Sequence, residues 1–293
     1  MNRQISKLSL LAVPLLVCFA TGCGGDDDSS AGGASSTAGA GGAAHGAAGG
    51  ATSGAAGGAA SGDYLGPSVG RAKTFAALAY SSVTAANVSP VDGELGVSAA
   101  AMSTITGFDA PTDHKFGLDS LAPNSQRALL AQQDVTALVG DIDPRACDKD
   151  YTDVVGGLTG DITLYPGVTC MNSFSADVLL NGKLTLDAKG DPNAFFIIRG
   201  NLTLTVADAA EVVLANGAQA CGVFWRFSKQ VTIGKAVSFY GSVIAGTAIT
   251  MNSGSTLNGR ALAQTAGVML DANTITVPSD VGSGEVGACS HVQ

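Results

Sequence analysis

Basic residues are scarce in this sequence. It holds 15 Lys and Arg against 24 Asp and Glu in 293 residues, a net charge of −9. A chain so poor in cations lacks the electrostatic footprint of a nucleic-acid binder, and no nucleic-acid partner is expected. Histidine is scarcer still: His45, His114 and His291 lie apart from one another and outside the repeated region, so they form neither a metal site nor a nucleophile–base pair. No cofactor is expected. Long apolar runs are also missing. The one apolar stretch near a terminus, "LSLLAVPLLVCFA", is too short to span a bilayer.

That stretch follows the basic segment "MNRQISK" and precedes "ATGC", the pattern of an export signal. The residues Ala20, Thr21 and Gly22 ahead of Cys23 resemble the lipobox of bacterial lipoproteins, which implies cleavage before Cys23 and its lipidation. Ala20 departs from the usual Leu, and plain secretion is the alternative. The resulting organisation is a signal over 1–22, a Gly/Ala/Ser-rich tether over 23–64, one folded domain over 65–280 and a tail over 281–293. The tether has almost nothing apolar to bury, so its composition is that of a flexible spacer with a reach of roughly 35 Å. Loss of Arg3 and Lys7 with the signal deepens the net charge from −9 to −11. The expected location is the cell envelope, lipid-anchored at the outer surface, or the medium. Export places Cys147, Cys170, Cys221 and Cys289 in an oxidising compartment. Cys147 and Cys170 flank "GGLTGDITLYPG" and are expected to pair. Cys221 is either a buried thiol in "ACGVFW" or a partner for Cys289.

Within the domain, Leu129, Leu130, Val135, Leu138 and Val139 recur at helical spacing, predicting one helix of about 17 residues that starts near Pro123 and ends at Gly140. A second helix is expected in "AKTFAALAY". The rest reads as short alternating segments between Gly, Asn and Asp. "GSVIAGTAITMNSGST" and "GRALAQTAGVMLDANT" align at an offset of eighteen: Gly241 on Gly259, Ala245 on Ala263, Thr247 on Thr265, Thr256 on Thr274. Strands this short at this period suit a parallel β-solenoid whose coils place three strands on three faces, stacked about 4.8 Å apart. Inward columns are expected at Ile233, Ile249 and Met269, at Val243 and Ala261, and at Ile244 and Leu262. Corners are expected at Asn252, Gly254, Asn258 and Gly259, where an Asn ladder can bond along the stack.

Read in order, "TLYPGV", "LTLDAKGDPNAFFI", "VVLANGAQACGVFW" and "STLNGRALAQTAGVMLDANTIT" resemble the microbial ice-binding (antifreeze) protein family, with "GELGVS" and "ITGF" extending the likeness to about Leu78–Val277. The resemblance implies an all-β fold with one long helix. More specifically, it implies a discontinuous right-handed parallel β-solenoid of triangular section, capped by sequence from both termini, with the helix packed alongside. It implies a monomer that adsorbs to ice through a flat face bearing Thr, then Ala or Gly, any residue, then Thr or Asn. Two columns compete for that face. One holds Thr247 and Thr250 over Thr265. The other runs through Ser238, through Ser253, Ser255 and Thr256, and through Asn273 and Thr274, with Ala236, Gly254 and Ala272 as its small second positions. Lys235, Asp271, Asp208 and Glu211 interrupt the second column, which implies weak activity.

Two alternatives come from other classes. One is a surface adhesion or structural module that binds a polymer through a solenoid face. The other is a polysaccharide-active enzyme, which requires paired carboxylates. Asp177, Asp187 and Asp191 sit at "NG" and "GDP" turns, where corner hydrogen bonding accounts for them first. Arg199 and Arg226 show no acidic partner in the sequence, and the protein is expected not to be an enzyme.

Overall fold

The computed structural model describes residues 66–109, 111, 114–151, 157–172 and 177–278. Cys23, Cys289 and the segments assigned to signal, tether and tail lie outside these residues.

Every strand pairing is parallel, and the strands form three stacks around one apolar interior. One coil illustrates the unit: Val223–Phe227 lies on the first face, Val231–Ile233 on the second, and Ser238–Tyr240, the start of the strand Ser238–Ala245, on the third. Ser238–Ala245 then pairs along its whole length with Thr256–Ala263, from Ser238 on Thr256 to Ala245 on Ala263. That register is the eighteen-residue offset, and it puts Val243 on Ala261 in the interior as expected. Ile244 pairs with Leu262, but both point away from the interior toward a helix. Alternation requires this, since neighbouring residues of a strand face opposite sides.

The helix is α1 (Arg127–Ile142), which packs Ala128, Ala131, Val135, Leu138 and Ile142 onto the first face. It begins four residues after Pro123, which lies in the preceding turn. Because this face is buried on both sides, its strands are mainly apolar without alternation. "AKTFAALAY" is accordingly a 3-10 turn, Gly70–Thr74, followed by a fully buried strand, Phe75–Ala79, rather than a second helix. An apolar run buried on both faces carries no period to separate strand from helix.

Chain order and stack order differ. Phe75–Ala79 stacks on Thr256–Ala263, so the first coil covers the last one, and Glu94–Val97 stacks on the first. Helix α1 then returns the chain along the covered face to the far end, where Lys149–Asp150 pairs with Gly167–Cys170 and the coils wind back. This discontinuity covers the long strand Thr256–Ala263 and leaves the two-residue strands Lys115–Phe116 and Lys149–Asp150 outermost, and short edge strands template association poorly.

The far end of α1 is fixed by three contacts. Arg226, nearly buried, pairs with the Asp143 carboxylate at 3.2 Å, which supplies the acidic partner that the sequence did not reveal. Arg199 donates to the Arg145 carbonyl at 3.0 Å. These cations also lie where the helix dipole is negative. The expected Cys147–Cys170 disulfide is present and ties the segment after α1 to the first-face strand. Replacing both cysteines by Ala removes a cross-link over 23 residues, which is worth about 3 kcal/mol in the chain-entropy picture. The melting temperature of the domain should fall by roughly 10 °C, measured by scanning calorimetry.

Candidate functional site

The second face is an eight-stranded sheet open to solvent, and its strands share one local pattern. Val83–Ala85, Val268–Leu270, Ile249–Met251, Val231–Ile233 and Leu204–Val206 each bury their outer two residues and turn the middle one outward, apart from half-buried Ala85. The register stacks these middle residues in one column: Thr106, Thr84, Met269, Thr250, Thr232, Thr205, Leu179. Five of the seven are Thr, at a repeat of about 4.8 Å. Ser82, Gly267, Ala248, Gln230 and Thr203 flank the column on one side, their carbonyls accepting from the next coil. Ala86, Asn252 and Ala207 flank it on the other, donating across the ladder. The column carries no charge. Asp271 and Lys229 stand at the margins, the former accepting from the Asn87 side chain.

The first expected column belongs to this face, with a change of register. Thr247 and Thr265 are exposed at its margin, and the Thr265 hydroxyl donates to the Gly246 carbonyl at 2.7 Å. Gly267 is an extra residue, so Ile249 pairs with Val268 and Thr250 with Met269 at an offset of nineteen. Met269 therefore leaves the expected inward column, where Val231, Ile249 and Val268 stack instead, and it is 47% exposed. The Thr250 hydroxyl is shielded from solvent and has no hydrogen-bond partner among the described residues.

The second expected column divides between a corner and the third face. Ala209, Ala236, Gly254 and Ala272 all have left-handed backbone, φ +50 to +73°, and they bond coil to coil through Ala209 N to Lys235 O, Ala236 N to Ser253 O and Gly254 N to Ala272 O. Their small size answers to a stacked corner, since a larger or β-branched side chain is strained at positive φ. Half-buried Ser253 lies on this corner. Ser255 and Asn273 are wholly buried beneath it, so they cannot meet an external surface. The Asn273 amide donates to Asn252 O at 2.7 Å and to Ser255 Oγ at 2.8 Å, and its oxygen accepts from Asp271 N at 2.6 Å. Asn273→Ala leaves these groups unsatisfied and should cost about 2 kcal/mol, read by denaturant unfolding, with surface activity per folded molecule unchanged.

Beyond the corner, Ser238, Thr256 and Thr274 stack in register, exposed, beside Tyr240, Asn258 and Thr276. As pairs, the small hydroxyl and amide groups last for two coils only, because Tyr240 stands beside Ser238. Glu211 and Lys183 continue the first line, and Asp92 and Tyr240 bound the second.

The three carboxylates considered for catalysis are corner caps. Asp187 accepts from Lys189 N and from Asn216 Nδ2, both at 2.8 Å, Asp191 from Asn193 N and Asp177 from Thr203 N. The Asn216 amide, followed by the Lys189 backbone N–H, holds the Asp187 carboxyl below the ordinary aspartate range. Among the described residues no cluster of His, Cys, Asp and Glu could hold a metal ion.

Thr84, Thr106, Thr205 and Thr232 went unnoticed in the sequence. The signal was available in "VTA", "ITG", "LTV" and "VTI", a Thr between two small or branched apolar residues.

Residues 77–276 match the Ice-binding-like family. The chain is 35% identical over 210 residues to an ice-binding protein of Nostoc sp., covering 71% of this chain and 73% of that protein. It is 35% identical over 219 residues to an ice-binding protein of Colwellia sp., covering 72% and 84%. The solved ice-binding protein 1 domain of Shewanella frigidimarina superposes with a TM-score of 0.64 at 30% identity, over 72% of this chain and 97% of that one.

Proposed function

The chain belongs to the ice-binding-like family, and we propose that it adsorbs to ice through its eight-stranded face. The observation that carries this reading is the uncharged column Thr106, Thr84, Thr250, Thr232, Thr205 on an open parallel sheet with mainly small flanking residues. Apart from the shielded hydroxyl of Thr250, hydroxyls repeated at about 4.8 Å along a rigid parallel stack can hold water at fixed spacing. The Thr methyls and the Ala and Gly flanks confine that water without imposing a hydration geometry of their own, as an ammonium or carboxylate does. Met269 and Leu179 break the column, leaving runs of two and three Thr, so the activity is weak: crystals are shaped and recrystallisation is slowed with little freezing-point depression. Thermal hysteresis and recrystallisation assays on the purified protein test this. A protein that does neither is not an ice binder.

The third face is the second reading, favoured by the exposed pairs Thr256 with Asn258 and Thr274 with Thr276, about 7 Å apart within each strand. Two coils of such pairs make a smaller patch than the Thr column, bounded by Glu211, Asp92 and Tyr240.

The protein acts outside the cell in this proposal, held at the envelope by a lipid on Cys23 or released to the medium. Mass spectrometry of the mature N-terminus is expected to find a diacylglyceryl-modified Cys23. An unmodified Cys23, or cleavage beyond it, removes the anchor and leaves secretion.

A further inference from the structure

The last coil at the far end of the stack, Lys149–Asp150, Leu158–Thr159 and Ile162–Leu164, has a strand neighbour on one side only. Beside it lies a cavity of about 240 Å³, lined by Asp148, Lys149, Tyr151, Thr163, Tyr165 and Pro166 among others. From the side chains at this cavity we infer a binding site for a neutral hexopyranose unit of a polysaccharide. This goes beyond the ice-contact reading and does not depend on it.

Two features set this corner apart from the others in the solenoid. Tyr165 is 50% exposed, and its ring is held by Lys189 of the next coil, whose ammonium lies 3.8 Å from the ring centroid. Lys189 is in turn fixed through its backbone N–H to Asp187. The ring is thus a braced apolar plate at the mouth of a pocket. Around it stand polar side chains within reach of solvent: exposed Thr163 and Lys149, the exposed hydroxyl-bearing Tyr165 itself, and half-buried Tyr151, with the Lys149 ammonium 5.7 Å from the Tyr151 ring centroid. Asp148 accepts from Val168 N at 2.8 Å through one oxygen. That oxygen lies 2.5 Å from where a Cβ at Gly167 would stand, so a side chain at position 167 would displace the carboxylate.

An apolar plate surrounded by convergent donors and acceptors is how a site fixes a small polar ligand. A hexopyranose matches it, since its C–H face stacks on the phenol ring while its hydroxyls meet the carboxylate, ammonium and phenols. The volume suits one ring. Asp148 and Lys149 stand in the wall together and offset each other, so the cavity offers no excess positive charge to an acidic sugar or phosphate. The position fits an external ligand. Phe75–Ala79 and Thr274–Thr276 both stack on Thr256–Ala263, at the opposite end of the winding. Ile162–Leu164 is five strand steps from Thr274–Thr276, about 24 Å away. The surface-polymer partner raised by the sequence thereby gains a place on the end of the stack rather than on a face.

Isothermal titration of the purified full chain with cellohexaose, mannohexaose and chitohexaose, and with hexaguluronate as the acidic control, tests the site. The expected result is saturable binding of at least one neutral hexasaccharide, weakened about tenfold or more by Tyr165→Ala, which removes the stacking plate. Thr163→Arg, on the exposed edge of the cavity, should do the same by filling its mouth, and it keeps the test valid if Tyr165→Ala folds poorly. Thr232→Tyr should leave sugar binding intact, and Thr163→Arg should leave ice activity intact, so each site can fail without the other. Binding of none of the neutral probes, binding of hexaguluronate alone, or affinity unchanged in both cavity variants overturns the assignment.

Discussion

Thr232→Tyr is expected to give a folded protein that no longer shapes ice or slows recrystallisation, whereas Thr256→Tyr keeps the parent activity. Thr232 sits mid-column, paired with Thr205 on one side and Thr250 on the other. Its side chain is half-buried and points outward between Val231 and Ile233, which are fully buried. A phenol there projects beyond the neighbouring Thr side chains and lifts any crystal face off the sheet over several coils. The backbone and interior are untouched, so stability should change by less than about 1 kcal/mol. Thr256 occupies the equivalent exposed place on the third face, stacked between Ser238 and Thr274. The pair of variants separates the two open faces directly. Loss of activity in Thr256→Tyr with retention in Thr232→Tyr would transfer the ice contact to the third face. Loss in neither, with an active parent, would remove both.

The solenoid was legible because two coils keep one register from Ser238 to Ala245, and nothing but stacked short strands explains an eighteen-residue alignment of small, apolar and hydroxyl residues. The site was harder to read, for three physical reasons. A small residue after Lys235, Ser253 and Asp271 serves a flat sheet and a left-handed corner equally well; only the positive φ of Ala236, Gly254 and Ala272 decides for the corner. Polarity does not imply exposure either. Ser255 and Asn273 resemble surface residues in sequence but satisfy each other and the corner backbone in the interior. Finally, the Thr column crosses the discontinuity. Thr84 and Thr106 precede Met269 in sequence by well over a hundred residues yet continue its column. Thr205 lies 27 residues before Thr232, since the lower coils are longer. An alignment at eighteen reaches neither group.

Met269→Thr should raise the activity. Met269 is paired with Thr84 and Thr250, so it interrupts the column near its centre. At 47% exposure its flexible thioether stands between two Thr residues of the column. Such a side chain holds no fixed water and is free to sweep over its neighbours. The adjacent Thr250 hydroxyl, shielded and unpartnered, is the group with most to gain from its removal. With Thr in that place, the longest unbroken run grows from Thr250, Thr232 and Thr205 to all residues from Thr106 to Thr205. The ordered patch doubles in length along the stack, and thermal hysteresis at equal concentration should rise about twofold, in proportion to the added coils. The fold should tolerate the change, since Val268 and Leu270 keep the strand's inward contacts. Met269→Lys is the matched control, equally long but charged, and it should depress activity below the parent because the ammonium orders water about itself. If Met269→Thr and Met269→Lys behave alike, the column does not meet ice.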